Sequence, residues 1–260
     1  MKKLFLFFSL LLGVLSAWAY DVEVDGIFYN LDKENKTASV TYSIDCVYEG
    51  AVVIPETISV DGTAYSVTSL GRYCFAWCSG LTSITIPNSV TSLGMPCFAS
   101  CDGLESIVVE SGNRVYDSRE NCNAIIETAA NTMLSGCKNT TIPNSVTSLG
   151  DECFKYCSGL TEVHANRETP PATGDAIFCN CVSLETIYVP TGASANYDID
   201  PWNAYKIVEE EVQSGITAVS VEGETAAPVY HLNGSSAGTM KSFSTLPNGI
   251  YIVKGKKVLR

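Results

Sequence analysis

Four stretches of the chain space their apolar residues alike. Leu81, Ile84 and Ile86 are followed by Leu104, Ile107 and Val109, by Leu160, Val163 and Ala165, and by Leu184, Ile187 and Val189. The alternation that closes each run is the period-two pattern of a short strand with one buried face. Ahead of the four runs stand Phe75, Phe98, Phe154 and Phe178, each followed three residues later by Cys78, Cys101, Cys157 or Cys181. Phe, Cys and Leu spaced by three predict a short helical turn that feeds the strand. The Phe-to-Phe steps are 23, 56 and 24 residues, so the middle step holds one regular unit plus an irregular one of 33. One such unit cannot bury its own apolar face. Stacked units can, because Phe then lies on Phe and Leu on Leu.

The pattern therefore predicts a repeat protein, a leucine-rich-repeat solenoid of short strands and helical turns over residues 66–192. Residues 20–65 alternate as strands, for example over 37–44 and 51–55, and read as an N-terminal β cap and first coil. The irregular unit, 111–143, lacks the Phe–Cys turn. Its apolar positions at 124–127 and 132–134 predict a small hairpin around Ala129, Ala130 and Asn131. Residues 193–214 read as a C-terminal cap and linker, with Asp200 and Pro201 as N-cap and first helical position and Tyr197, Trp202 and Tyr205 covering the last coil. Residues 215–260 read as a small β tail. Residues 1–19 carry Lys2 and Lys3, an apolar run over 4–15 and the small-residue pair Ala17 and Ala19, which is a secretory signal peptide cleaved near Ala19. That apolar run is too short to span a bilayer, and no later stretch forms a transmembrane segment.

The units 66–87, 89–110 and 145–166, joined by Ile-Pro-Asn-Ser-Val-Thr-Ser-Leu-Gly, resemble the BspA-like leucine-rich-repeat family over roughly residues 51–192. The resemblance implies surface or secreted proteins of anaerobic bacteria and some mucosal protists, with members implicated in adhesion to host matrix proteins and other microbes. It offers no catalytic motif to map. Cys74, Cys97 and Cys153 depart from the family, which usually has Ala before the Phe. The segments 229–234, 246–253 and 254–258 are similar to the C-terminal sorting domains of Bacteroidetes, which implies export across the outer membrane and attachment at the surface.

Charge narrows the partners. The 260 residues carry 28 acids against 16 bases, net −12. Residues 241–260 hold five bases and no acid, so residues 20–240 carry 9 bases against 28 acids. Such a body does not neutralise phosphates, and nucleic acid is excluded as a partner class. Two histidines, His164 and His231, have no phased nucleophile or acid beside them, so no catalytic residues and no cofactor are assigned. The eleven cysteines admit three readings. Their lock to the repeat phase favours small core fillers, inter-coil disulfides remain open in an exported chain, and a metal site is disfavoured by the spacing. Cys122 and Cys137 lie off the phase and are the disulfide candidates.

What remains is surface. Outward strand positions stack into rows, one of Ser83, Ser106, Glu162 and Thr186 and one of Thr85, Val108, His164 and Tyr188. On the turn side, Tyr73, Trp77 and Tyr156 fall outside the buried phase. The candidate binding surface is thus Tyr73, Trp77, Tyr156, Glu162, His164 and Tyr188, facing a protein or glycoprotein on host or microbial surfaces. Packing of Trp77 against a flanking coil is the alternative for that residue. At the level of the whole chain the alternatives are a structural stalk without a specific ligand and, beyond it, a secreted enzyme.

Overall fold

The computed structural model describes residues 20–42 and 48–211, together with the backbone of four strands, Pro228–His231, Ser236–Thr239, Ile250–Val253 and Lys256–Leu259. The expected signal peptide and the end of the expected linker, 212–214, lie outside the described residues. Of the expected tail, 215–260, the four strands are described. They pair antiparallel as one sheet, in the order Ser236–Thr239, Pro228–His231, Ile250–Val253, Lys256–Leu259.

Each coil contributes a strand to a parallel ladder. Gly50–Val53, Leu81–Ile86 and Ser106–Val109 form a three-stranded sheet; Thr141–Ile142, Glu162–Ala165, Thr186–Pro190 and Lys206–Glu210 form a four-stranded one. Parallel pairing follows from the repeat, since every coil runs the same way round. A second parallel column comes from the Ser-Leu pairs. Ser92–Leu93 joins Thr63–Leu70, and Ser148–Leu149 lies between Thr132–Gly136 and Ala172–Thr173. These two-residue strands have no period to read and were not expected from the sequence. At the N-terminus Val22–Val24, Ile27–Asp32 and Thr37–Val40 pair antiparallel, and Thr37–Val40 then runs parallel to Thr63–Leu70.

Among the described residues there is no α-helix, and three short 3-10 segments are the only helical elements. The expected helical turns are instead successive reverse turns. In the coil of Phe75, alternate amides bond locally, Cys74 to Gly71, Ala76 to Tyr73 and Cys78 to Phe75. The amides between them donate across to the next coil: Tyr73 to Pro96 (3.0 Å), Phe75 to Cys97 (3.1 Å) and Trp77 to Ala99 (2.8 Å). A helix would consume all of these amides within one coil. The i to i+3 spacing of Phe, Cys and Leu fits either arrangement, so periodicity alone could not separate them. The same holds at the C-terminal cap, where Pro201 is the N-cap of the three-residue 3-10 segment Trp202–Ala204 and no side chain caps it.

The irregular unit divides the interior. Ala124–Glu127 and Thr132–Gly136 form an antiparallel hairpin. Its first strand is buried on both faces: Ile125 belongs to the apolar cluster of Phe75 and Phe98, while Ala124 and Ile126 belong to that of Phe154 and Phe178. Phe75 stacks on Phe98 and Phe154 on Phe178, both at 5.5 Å between ring centroids. Trp202 and Tyr205 close the far end edge-on to Phe178, at 5.6 and 5.4 Å.

The hairpin meets the turn of Phe154 at Gly136, whose amide donates to the Cys153 carbonyl at 3.1 Å, and the rest of that turn faces the coil of Phe98. There Ser100 donates its amide to the Tyr156 carbonyl at 3.1 Å, and the Ser158 hydroxyl meets the Asp102 carboxylate. A Cβ on Gly159 would lie 2.7 Å from the Asp102 carbonyl oxygen, so this approach requires glycine. The coil of Phe98 thus abuts the coil of Phe154 directly along this edge.

Candidate recognition surface

Two side-chain groups on separate faces of the coils contain the expected residues. On the strand face, the register pairs His164 with Tyr188 and Glu162 with Thr186, and the rings of His164 and Tyr188 stack at 4.6 Å. The row does not continue to Val108 as expected. His164 pairs on its other side with Thr141, because the ladder is broken at the irregular unit. His164 also meets Glu210, Nδ1 to Oε1 at 2.6 Å, and Glu162, Nε2 to Oε1 at 3.4 Å. Glu210 was missed in sequence, where the run Glu209–Glu211 reads as a solvated helix end. In the structure Glu210 closes the strand Lys206–Glu210, which pairs parallel with Thr186–Pro190. The signal was Ile207 and Val208, one further apolar pair in strand phase. This cluster is satisfied internally: one ring face is covered and both imidazole nitrogens have carboxylate partners.

The turn face differs. Around each Phe, the residues two before and two after adopt left-handed backbone: Tyr73 (φ 60°), Trp77 (63°), Ser100 (58°), Glu152 (60°), Tyr156 (61°), Ala176 (54°) and Asn180 (60°). The eighth such position is Pro96, whose ring forbids positive φ. Left-handed backbone costs an L residue about 1–2 kcal/mol and is tolerated best by Gly, Asn and Asp. Tyr73, Trp77 and Tyr156 nevertheless sit there. Trp77 is 59% exposed and Tyr156 39% exposed, so burial does not repay the strain. Trp77 stacks with Tyr73 of its own coil at 5.7 Å between ring centroids. The Arg72 guanidinium lies 4.9 Å from the Tyr73 ring, and the Lys155 ammonium 5.5 Å from the Tyr156 ring. Glu152 pairs with Lys155 and holds its pKa above the usual lysine value.

The thiols belong to the core. Cys74, Cys78, Cys97, Cys101, Cys122, Cys137, Cys153 and Cys181 are all buried. The Cys three after Phe is more than a filler. Cys101 Sγ donates to the Phe75 carbonyl of the preceding coil at 2.8 Å, and Cys181 Sγ to that of Phe154 at 2.9 Å. The disulfide candidates Cys122 and Cys137 are both thiols in this structure. The hairpin strand separates them, Cys122 in the cluster of Phe154 and Cys137 in that of Phe75, and each thiol bonds a different backbone carbonyl. Burial pushes the Cys122 and Cys181 thiols up to about 12, which removes them as nucleophiles at neutral pH. Among the described residues no group of His, Cys, Asp and Glu is placed to hold a metal ion, and no helix is long and apolar enough to cross a membrane.

Parallel strands on a repeat of about 23 residues, with leucines lining a stacked core, define a strand-rich leucine-rich-repeat protein. The profile of the BspA type leucine rich repeat region matches in six copies over residues 56–132 and 124–199, more than half of the chain. The chain belongs to that family. A leucine-rich repeat protein of Bacteroides ovatus is 25% identical, with a TM-score of 0.40, over 65% of this chain and 47% of the other. One from Bacteroides capillosus is 20% identical, TM-score 0.36, over 65% of this chain and 96% of the other. A leucine rich cell surface protein of Faecalibacterium prausnitzii is 18% identical, TM-score 0.36, over 73% and 42%. No curated protein matches the chain.

Proposed function

We propose that the protein is an exported surface protein that binds macromolecules of host or microbial surfaces, as an adhesin does, through the turn face of its solenoid. The observation that carries this reading is the set of aromatics at Tyr73, Trp77 and Tyr156. They occupy backbone that disfavours them, two of them are exposed, and neither folding nor core packing accounts for the choice. Exposed Trp and Tyr on a rigid frame give large contact area at little ordering cost. The strand-face group of Glu162, His164, Tyr188 and Glu210 is closed on itself and takes the lesser part. No enzymatic role is assigned.

The test is capture of host matrix proteins and bacterial surface glycoproteins by the immobilised exported chain. Trp77→Ala and Tyr156→Ala should each weaken capture at least tenfold, while Ser83→Ala leaves it unchanged. Equal capture by all three folded variants would leave the structural stalk as the reading. The route to the surface rests on residues 1–19 and on the tail. N-terminal sequencing of exported protein should begin at Tyr20, and removing residues 215–260 should lower the amount displayed on intact cells.

A further inference from the structure

The turn face contains a notch with a definite shape. Trp77 donates its amide to Ala99, and Ser100 donates its amide to Tyr156, so the coils of Trp77, Ser100 and Tyr156 are consecutive rungs. The three residues occupy the same position in their coils and share left-handed backbone at φ 63°, 58° and 61°, which sends their side chains out in the same sense. Two aromatic side chains therefore stand two rungs apart, about 10 Å at the backbone, with a small hydroxymethyl group between them. Tyr73 stacks on Trp77 at 5.7 Å and the Lys155 ammonium lies 5.5 Å from the Tyr156 ring, so each wall is backed by a neighbour on its own coil.

We propose that the notch between Trp77 and Tyr156, floored by Ser100, is a saccharide site that takes one uncharged pyranose ring of a surface glycan. The proposal rests on the reading of the turn face as the recognition surface and names its ligand class. A gap of about 10 Å leaves room for one puckered ring at a van der Waals distance of about 4 Å from each wall. The C–H groups of a pyranose carry partial positive charge and fit the negative faces of the two rings. Polar groups at the edge supply hydrogen bonds for hydroxyls: the Ser100 hydroxyl, the Asp102 carboxylate held by Ser158, the Arg72 guanidinium on Tyr73 and the Lys155 ammonium on Tyr156.

Charge favours a neutral ligand. In a strongly acidic body, the perimeter of the notch is balanced, with Arg72 and Lys155 set against Asp102 and Glu152. A protein partner is the poorer fit for this notch. A stable protein interface covers about 800 Å² on each side around a continuous apolar centre, whereas Ser100 and the charged edge interrupt this one after two rings.

The chain itself carries the reporter. Of its three tryptophans, Trp18 lies in the expected signal peptide and Trp202 is fully buried, so Trp77 emission reports on the notch. The exported chain is titrated with neutral tetrasaccharides of glucose, mannose, galactose and N-acetylglucosamine. At least one should shift Trp77 emission saturably, and Tyr156→Ala should weaken that sugar tenfold or more. Ser100→Tyr should fill the notch and abolish sugar binding while the fold survives, since the next rung already holds tyrosine in the same backbone. No emission shift with any of the four sugars overturns the saccharide assignment. Protein capture that still depends on Trp77 would then leave the recognition face standing, and capture independent of Trp77 would remove both. Sugar binding that persists in Ser100→Tyr also overturns the notch as its site.

Discussion

The sulfhydryls of Cys101 and Cys181, three residues after Phe98 and Phe178, do two jobs, and substitution separates them. As a filler each would tolerate valine and reject serine, because a buried hydroxyl without a partner is costly. As a donor to the Phe carbonyl of the previous coil each has the opposite preference. We expect Cys101→Ser to cost under about 0.5 kcal/mol and Cys101→Val about 0.5–1.5 kcal/mol, since valine leaves the Phe75 carbonyl with the Cys78 amide alone. Chemical denaturation of the two variants gives the order, and valine being the milder change would return Cys101 to simple packing. The aromatic at Tyr156 makes the reverse case. Asparagine stands at the same place in the coil of Phe178, as Asn180 with φ 60°. Tyr156→Asn should leave stability unchanged or raise it by up to about 1 kcal/mol, through relief of left-handed strain, while it weakens capture. A loss of more than about 1 kcal/mol would mean that the ring is structural. The repeat phase alone marked Tyr73, Trp77 and Tyr156 as outside the core. Their backbone could not be read there, because φ is set by the amides each coil gives to the next.

At the scale of elements, the strand runs beginning at Leu81, Leu104, Leu160 and Leu184 were legible because burial on one face imposes period two. The turns were misread as helical because a three-residue spacing serves both structures. The hairpin was visible in its apolar positions, but its place as a wall between two cores was not, since both faces of Ala124–Glu127 are covered by residues distant in sequence. That wall is held from outside by Asp117. Its carboxylate accepts from the Arg119 guanidinium, Nε to Oδ1 at 2.8 Å, and from the Thr128 hydroxyl at 2.8 Å. Burial alone would raise the Asp117 pKa, but the hydrogen bonds from Arg119 and Thr128 outweigh it and hold the pKa below the usual carboxylate value. A carboxyl whose pKa is lowered on folding contributes stability that is fully present above its unfolded value, near pH 4, and lost as pH falls through the folded one. Asp117→Asn should therefore cost about 1–2 kcal/mol at pH 7 and progressively less below pH 4. Parallel melts of both proteins from pH 7 to pH 2 measure this, and a constant difference at all pH values would rule the ionised carboxylate out as the cause.

For the whole molecule, the consequence of interest lies in how the coil of Phe98 meets the coil of Phe154. Trp77 and Tyr156 are 79 positions apart along the chain, yet they stand two rungs apart because Ser100 bonds Tyr156 directly, while the hairpin touches that turn through Gly136 at Cys153 and its tip lies elsewhere. The spacing across the notch is therefore independent of how much chain the hairpin contains. Ala129 and Ala130 are exposed at its tip, so the tip can lengthen outward without lifting one rung from the next. A six-residue Gly-Ser insert between Ala129 and Ala130 should lower the melting temperature by no more than a few degrees, since loop closure entropy grows slowly with length. It should leave ligand affinity at the turn face unchanged. An insert of the same length between Gly103 and Leu104 should abolish binding, because there it would part the two rungs. Equal losses from both inserts would show that the hairpin sets the spacing after all. The tip of the hairpin is thus a grafting point, where a label or a second binding module can be carried while the turn face keeps its grip.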